Sequence, residues 1–397
     1  MNKTSKDLIS LLKMLLTCNY EKLDNPNYNE IYKLAKFHSI QNMLYYAIMA
    51  YIDKFSLTSQ VEPELLKKLA SDNKNAIAKA AYQEEEKEAI FKELEANNIK
   101  YMPMKGSIIK YLYPSIDMRS MADLDIYFDD LRSAEVRKIL INLGYEVESY
   151  KKSNHDTYQK IPFMEVEMHR ELMEESYIMS RYYKNSWSRL VKASEDSYQY
   201  SFNINDYYVF MTAHAARHFS SGGFGIRNVI DEYIYLDKYS NQLDFNYINK
   251  ELDHIGLAKF ESNLKKLSKY WFLDVALEQA DVSLMEEMSD YIIKSGAYGT
   301  IEHYTLNTLM GDGVSENINA SKAKYLWRRL FPSLSDMKNR HPILNKVIIL
   351  LPWFYFTRLL RGIFKKREDT KAEVKATTKV NKKNIVKNKK MHDNIGA

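Results

Sequence analysis

Apolar residues recur at three- and four-residue intervals from Lys6 to Ala70, in runs such as DLISLLKMLLT and IYKLAKFHSIQNMLYYAIMAYI, and this period predicts helices there. AAYQEEEKEAIFKELEANN, from Ala80 to Asn98, predicts a further helix with a charged face, ended by Asn97 and Asn98. The period then shortens. IKYMPM reads as a short strand, GSIIKYLY as a helix, LDIYF as a strand and SAEVRKILINLG as a helix stopped by Gly144. YEVESYKK, HDTYQKI and MEVEMHRE follow as three alternating strands. Downstream of about Glu174 the helical period returns as far as Leu330, with breaks at SSGGFG and GDGVSE. The pattern predicts an α+β fold, a small mixed β-sheet flanked by N-terminal and C-terminal helical regions. It divides the chain into residues 1–79, 80–174 (the α/β core), 175–335 (helical), 336–364 (apolar and basic) and 365–397 (a basic tail).

Composition narrows the class. With 397 residues, 45% of them hydrophobic, the chain has material for two or three units with buried cores. Its lone cysteine, Cys18, excludes an internal disulfide and a cysteine-based zinc site. The N-terminal stretch MNKTSKDLISLLKMLL reads as an amphipathic helix and not as a signal peptide, so a cytoplasmic location is expected. The 31 tyrosines accompany abundant Lys, Asn and Ile, as an AT-rich coding sequence would produce, and carry no functional reading.

Charge is unevenly distributed. From Lys365 onward 11 Lys and Arg face 4 Asp and Glu, so the preceding residues are slightly acidic despite an overall charge of +5, and bulk charge gives no strong nucleic-acid signal. The tail has few large apolar residues and is expected to be disordered. Before it lies VIILLPWFYFTRLLRGIFKKR, whose apolar run is too short to span a bilayer and is interrupted by Pro352. Two readings stand: a last helix packed on the core, or a basic amphipathic segment making weak contact with an anionic membrane surface.

The candidate chemistry sits between Met104 and Asp130. In LDIYF, residues two apart share a face, so Asp123 and Asp125 project together while Leu124 and Ile126 face the core. Two adjacent carboxylates are costly to bury without a cation, and hard oxygen donors suit magnesium. In MEVEMHRE, Glu165, Glu167 and His169 share one face; laid beside LDIYF, that strand would complete an acidic cluster. Gly106 and Ser107 lie where a strand turns into a helix, so their N–H groups and the Ser107 hydroxyl could hold phosphate, with Lys105 adding positive charge. Each feature alone is commonplace; in this order they indicate nucleotide chemistry.

The stretch from Lys105 to Asp129 resembles the nucleotidyltransferase superfamily of the DNA polymerase β type, which carries a Gly-Ser or Gly-Gly step followed by an acid, one residue and a second acid. More narrowly, it resembles a bacterial family of uncharacterised nucleotidyltransferases in Lys105-Gly106, Tyr113-Pro114, Arg119, Asp123 and Asp125, and Glu167 with His169. HAARH, with Arg227 and Asp231, matches a later H-x-x-x-H and R-x-x-x-D pattern, so the likeness covers roughly residues 30 to 240. The interval from Ser107 to Asp123 is longer than in the general superfamily signature but suits the narrower family. The resemblance implies a nucleotidyltransferase core in which Asp123, Asp125 and Glu167 are catalytic and bind Mg2+ or Mn2+. It also implies that Lys105, Gly106 and Ser107 hold the phosphates of a nucleoside triphosphate, whose monophosphate passes to a hydroxyl-bearing acceptor with loss of pyrophosphate. Arg119 is a candidate for neutralising phosphate or a structural arginine; His169 is either support for a metal ligand or a core histidine.

His214 and His218, four apart on one helical face, lack the Glu of an H-E-x-x-H zinc hydrolase. With Arg227 and Asp231 they would either line a substrate wall facing the acids or tie two helices together. The acceptor, whether small molecule, sugar or protein, is not encoded in any motif. The alternative to an enzyme is a nucleotide-sensing or partner-binding module of the same fold, which would have no need of three converging carboxylates.

Overall fold

A computed structural model describes residues 1–57, 60–173, 178–311, 318–364 and 367–397. The expected break at GDGVSE and the expected boundary at residues 174 and 175 lie almost wholly outside them. Four helices come first: α1 (Lys3–Thr17), α2 (Tyr28–Phe37), α3 (Gln41–Phe55) and α4 (Pro63–Ala96). Asn2 starts α1 by accepting the Ser5 N–H at 2.9 Å, and Pro63 sits in the first turn of α4, where its missing N–H costs nothing. The next elements are β1 (Tyr101–Pro103), the one-turn α5 (Gly106–Ile109), β2 (Leu124–Phe128), α6 (Ser133–Asn142), β3 (Glu146–Ser149), β4 (His155–Lys160) and β5 (Met164–His169). A small hairpin, β6 (Leu190–Lys192) and β7 (Tyr200–Phe202), leads to α7 (Ile204–Ser221) and α8 (Ile226–Tyr239). The remaining helices are α9 (Phe245–His254), α10 (Ala258–Phe272), α11 (Gln279–Ser295), α12 (Ile301–Gly311), α13 (Ile318–Leu330), α14 (Leu334–Arg340), α15 (Leu351–Phe364), α16 (Arg367–Lys379) and α17 (Lys382–Ile395).

The sheet has the order β1-β2-β5-β4-β3, with β2 and β5 parallel and the other pairs antiparallel. This is the expected α+β class, a small mixed sheet between helical regions. One face buries Leu124, Ile126, Phe128, Val166 and Met168 against Ile90 and Leu94 of α4 and Val136 and Leu140 of α6. The alternation of the strands turns Asp125, Glu167 and His169 to the opposite face. A second, larger core joins α1 to α3 with α7 to α11.

Two expectations are corrected. The division at residues 79 and 80 falls inside α4, one continuous helix that places Leu65 and Leu69 in the large core and Ile90 and Leu94 in the sheet core. The EEEKE run marks a change of buried face, not a new element. The basic tail, expected to be disordered, forms α16 and α17: Met391 and Ile395 enter the large core, and Val380 and Ile385 a third small core with Leu309 and Tyr325. A few well-spaced apolar residues suffice there because a ready-made surface receives them.

Candidate functional site

The polar face of the sheet and the helices α7 and α8 enclose a cleft of about 380 Å³, lined among others by Lys105, Gly106, Asp123, Asp125, His155, Glu167 and His169 on the sheet side. Asp125 pairs in register with Glu167 across the parallel strands, and Asp123 immediately precedes β2. His169 Nε2 lies 2.7 Å from Asp125 Oδ1 and 3.1 Å from Glu167 Oε2. Lys105 Nζ reaches the same Asp125 oxygen at 2.6 Å, and His155 Nε2 stands 3.4 Å from Glu167 Oε1.

This arrangement separates the two aspartates electrostatically. Burial would push Asp125 up, but the Lys105 ammonium and the His169 hydrogen bond hold it well below the usual carboxylate range. For Asp123, burial and the Asp125 charge, with a smaller push from Glu167, outweigh the Lys105 charge and its own backbone N–H and raise it to about 6. Glu167 is lowered because its hydrogen bond to His169 and the neighbouring His155 outweigh its burial. His169 is raised: its hydrogen bonds to Asp125 and Glu167 overcome the desolvation that alone would lower it. Asp125 thus gathers positive charge on one oxygen, and Asp123 is left to repel its neighbours.

Local backbone supports the geometry. Lys105 has φ +53°, uncommon for a residue with a side chain, and its carbonyl is pinned by the Ile108 and Ile109 N–H groups and the Tyr207 hydroxyl, each at 3.1 Å. Gly106 packs so closely that an added Cβ would lie 3.2 Å from Met121 Cγ and 3.3 Å from an Arg119 nitrogen. Ser107 does not reach the cleft. Its N–H and hydroxyl both donate to the Met104 carbonyl, at 3.2 and 2.7 Å, which closes the turn and removes it as a phosphate holder.

On the helical wall, His214 and His218 line the cleft with their Nε2 atoms 3.0 Å apart, and burial lowers both, His218 to about 4 and His214 well below its ordinary value. Arg119 grips Asp231 with a fork, Nε to Oδ1 at 2.9 Å and Nη2 to Oδ2 at 2.8 Å, while the Tyr113 hydroxyl donates to Asp231 at 2.6 Å. Asp231 therefore ties α8 to the segment before β2, and the Arg119 charge is already matched. Arg227 donates to the Ser120 carbonyl at 2.9 Å and faces the Tyr298 ring. The histidines and Arg227 border the cleft, and the Arg119–Asp231 pair joins α8 to the segment before β2.

The sequence reading missed His155, Asn154 and Tyr298. His155 alternates correctly along HDTYQKI, but its place beside His169 follows only once β4 is known to pair with β5. The ligand atoms of His155, Glu167 and His169 lie within 4.8 Å of one another, and Asp123 and Asp125 line the same cleft. Carboxylate oxygens and imidazole nitrogens are donor types that divalent cations accept.

No curated protein and no solved structure matches the chain. A family profile does, over residues 24–273, more than half of the length. The chain belongs to the family described as uncharacterised nucleotidyltransferase.

Proposed function

We propose that the chain is a metal-dependent nucleotidyltransferase that moves a nucleoside monophosphate from a triphosphate to a hydroxyl-bearing acceptor. The observation that carries this reading is the in-register pairing of Asp125 with Glu167 on the cleft face, with Asp123 beside them. The acceptor oxygen forms a bond to the α phosphorus, the α–β phosphoanhydride bond breaks, and pyrophosphate leaves. Mg2+ or Mn2+ held by Asp123, Asp125 and Glu167 would offset charge on the attacking and leaving oxygens. The acceptor's hydroxyl proton passes to the carboxylate cluster, with Glu167 helping a metal to activate that hydroxyl. Lys105 and the Gly106 backbone border the cleft on the side suited to the departing phosphates. His169 orients Asp125 and Glu167 through its bridging Nε2 and acts as a positioning residue. His214, His218 and Arg227 form the opposite wall, where the base or the acceptor would rest.

The test is calorimetric titration with Mg2+ and each nucleoside triphosphate as its α,β-methylene analogue, followed by pyrophosphate release from the hydrolysable nucleotides. Asp125→Asn is expected to lose metal-dependent binding and release together. Wild-type binding without release under any acceptor tried would favour the sensing module, and undiminished binding by Asp125→Asn would remove the catalytic reading of the acids.

A further inference from the structure

Among the described residues, eleven of the 27 large hydrophobic residues that face solvent lie between Trp327 and Phe364. In α15 they form a stripe. Trp353, Phe356, Leu360 and Phe364 are 60, 52, 37 and 77% exposed, and their spacing of three, four and four places them on one face of the helix. The other face is occupied: the Tyr355 hydroxyl donates to the Pro332 carbonyl at 2.7 Å, Tyr355 packs on Phe331, and Phe354 stacks on His341 at 4.0 Å. Val347, Ile348 and Ile349, just before the helix, are exposed as well. An amphipathic helix ordinarily turns its apolar stripe to the core; here an apolar stripe also faces outward.

The surrounding charge selects the occupant. Between Trp327 and Phe364 there are seven Lys and Arg and one acid, Asp336, and Lys365, Lys366 and Arg367 follow directly. A second copy of the chain meeting this face by two-fold symmetry would set arginine against arginine. An anionic lipid surface instead satisfies both parts, apolar side chains entering below the headgroups and cations remaining at their level, with tryptophans at the boundary. No helix among the described residues is long and apolar enough to cross a membrane, so any contact lies in the plane.

We propose that the exposed face of α15, with the turn before it, docks the protein on anionic bilayers. Deleting the C-terminal residues would be a poor test, because α17 fills the large core with Met391 and Ile395. Point variants of the full chain avoid this, since the residues changed are exposed. Co-sedimentation with phosphatidylglycerol–phosphatidylcholine vesicles is compared with phosphatidylcholine alone. The wild type is expected to bind only the anionic vesicles. Phe356→Glu with Phe364→Glu is expected to weaken binding at least ~10-fold, and Lys346→Gln with Arg361→Gln about 25-fold, roughly five-fold for each cation. All variants should retain the wild-type melting temperature. Absence of wild-type binding, binding that neither pair of substitutions weakens, or a dimer that Phe356→Glu with Phe364→Glu dissociates would each overturn the proposal.

Discussion

Asp123→Asn in metal-free protein tests the electrostatics of the site without reference to any substrate. In the fold Asp123 titrates near 6, against 3.8 for the free side chain. Because the folded value is raised, the ionised carboxylate destabilises the fold: the cost is fully present above about pH 6, declines as pH falls and is gone below the unfolded value. The shift corresponds to about 3 kcal/mol above pH 7 and about half of that at pH 5, an upper figure because the group is partly solvated. Asparagine keeps the shape and removes the charge, so the variant should be more stable than wild type by about 1–3 kcal/mol at pH 8. For a chain of this size that is a rise of about 2–4 °C at most in melting temperature. Scanning calorimetry in chelator from pH 5 to 8 should show the gap widening with pH. Added Mn2+ should then raise the wild type and not the variant, closing or reversing the gap. A variant less stable than wild type in chelator, or a gap independent of pH, would refute the claim that Asp123 is left repelling its neighbours.

Three further outcomes are expected. Arg119→Ala leaves Asp231 buried with only the Tyr113 hydroxyl and should cost about 3–5 kcal/mol in chemical denaturation, most of it recovered by adding Asp231→Asn; no recovery would mean that packing, not charge, is lost. Glu232 is buried beside Tyr208 and Glu261 and pushed up to about 8, so Glu232→Gln should raise the melting temperature at pH 9 and do so progressively less toward pH 5, with or without metal. His214→Asn should weaken nucleotide or acceptor binding with little change in melting; a drop of several degrees with binding intact would make the histidine pair structural.

The cleft face of the sheet was legible because it obeys a period of two. Asp125, Glu167 and His169 are separated from their core neighbours by alternation alone, and the D-x-D spacing needs no tertiary knowledge. His155 was not legible, since its position depends on which strand β4 joins. The Lys105–Asp125 pair was hidden by the positive φ that redirects Lys105, and the loss of Ser107 by a turn hydrogen bond that no pattern specifies. The tail misled because local composition reports whether a segment can form its own core, not whether a distant one will accept it. The break at SSGGFG was sound: Gly222, at φ +87°, caps α7, and a Cβ on Gly225 would meet the backbone of Gly296 and Ala297 at 2.9 Å.

Helix α4 bears on how the molecule transmits load. Its first half is gripped by the N-terminal helices and its second half is a wall of the sheet core, with Glu86 accepting from Tyr145 at 2.9 Å and from Lys160 at 2.6 Å. A continuous helix of 34 residues does not hinge without a break in its hydrogen-bond ladder. The N-terminal helices and the sheet therefore form one stiff beam, and a cut near residue 80 would sever a strut instead of freeing a module. The same N-terminal helices share the large core with α7 and α8, so both walls of the cleft hang on one continuous support, braced across by the Arg119–Asp231 pair.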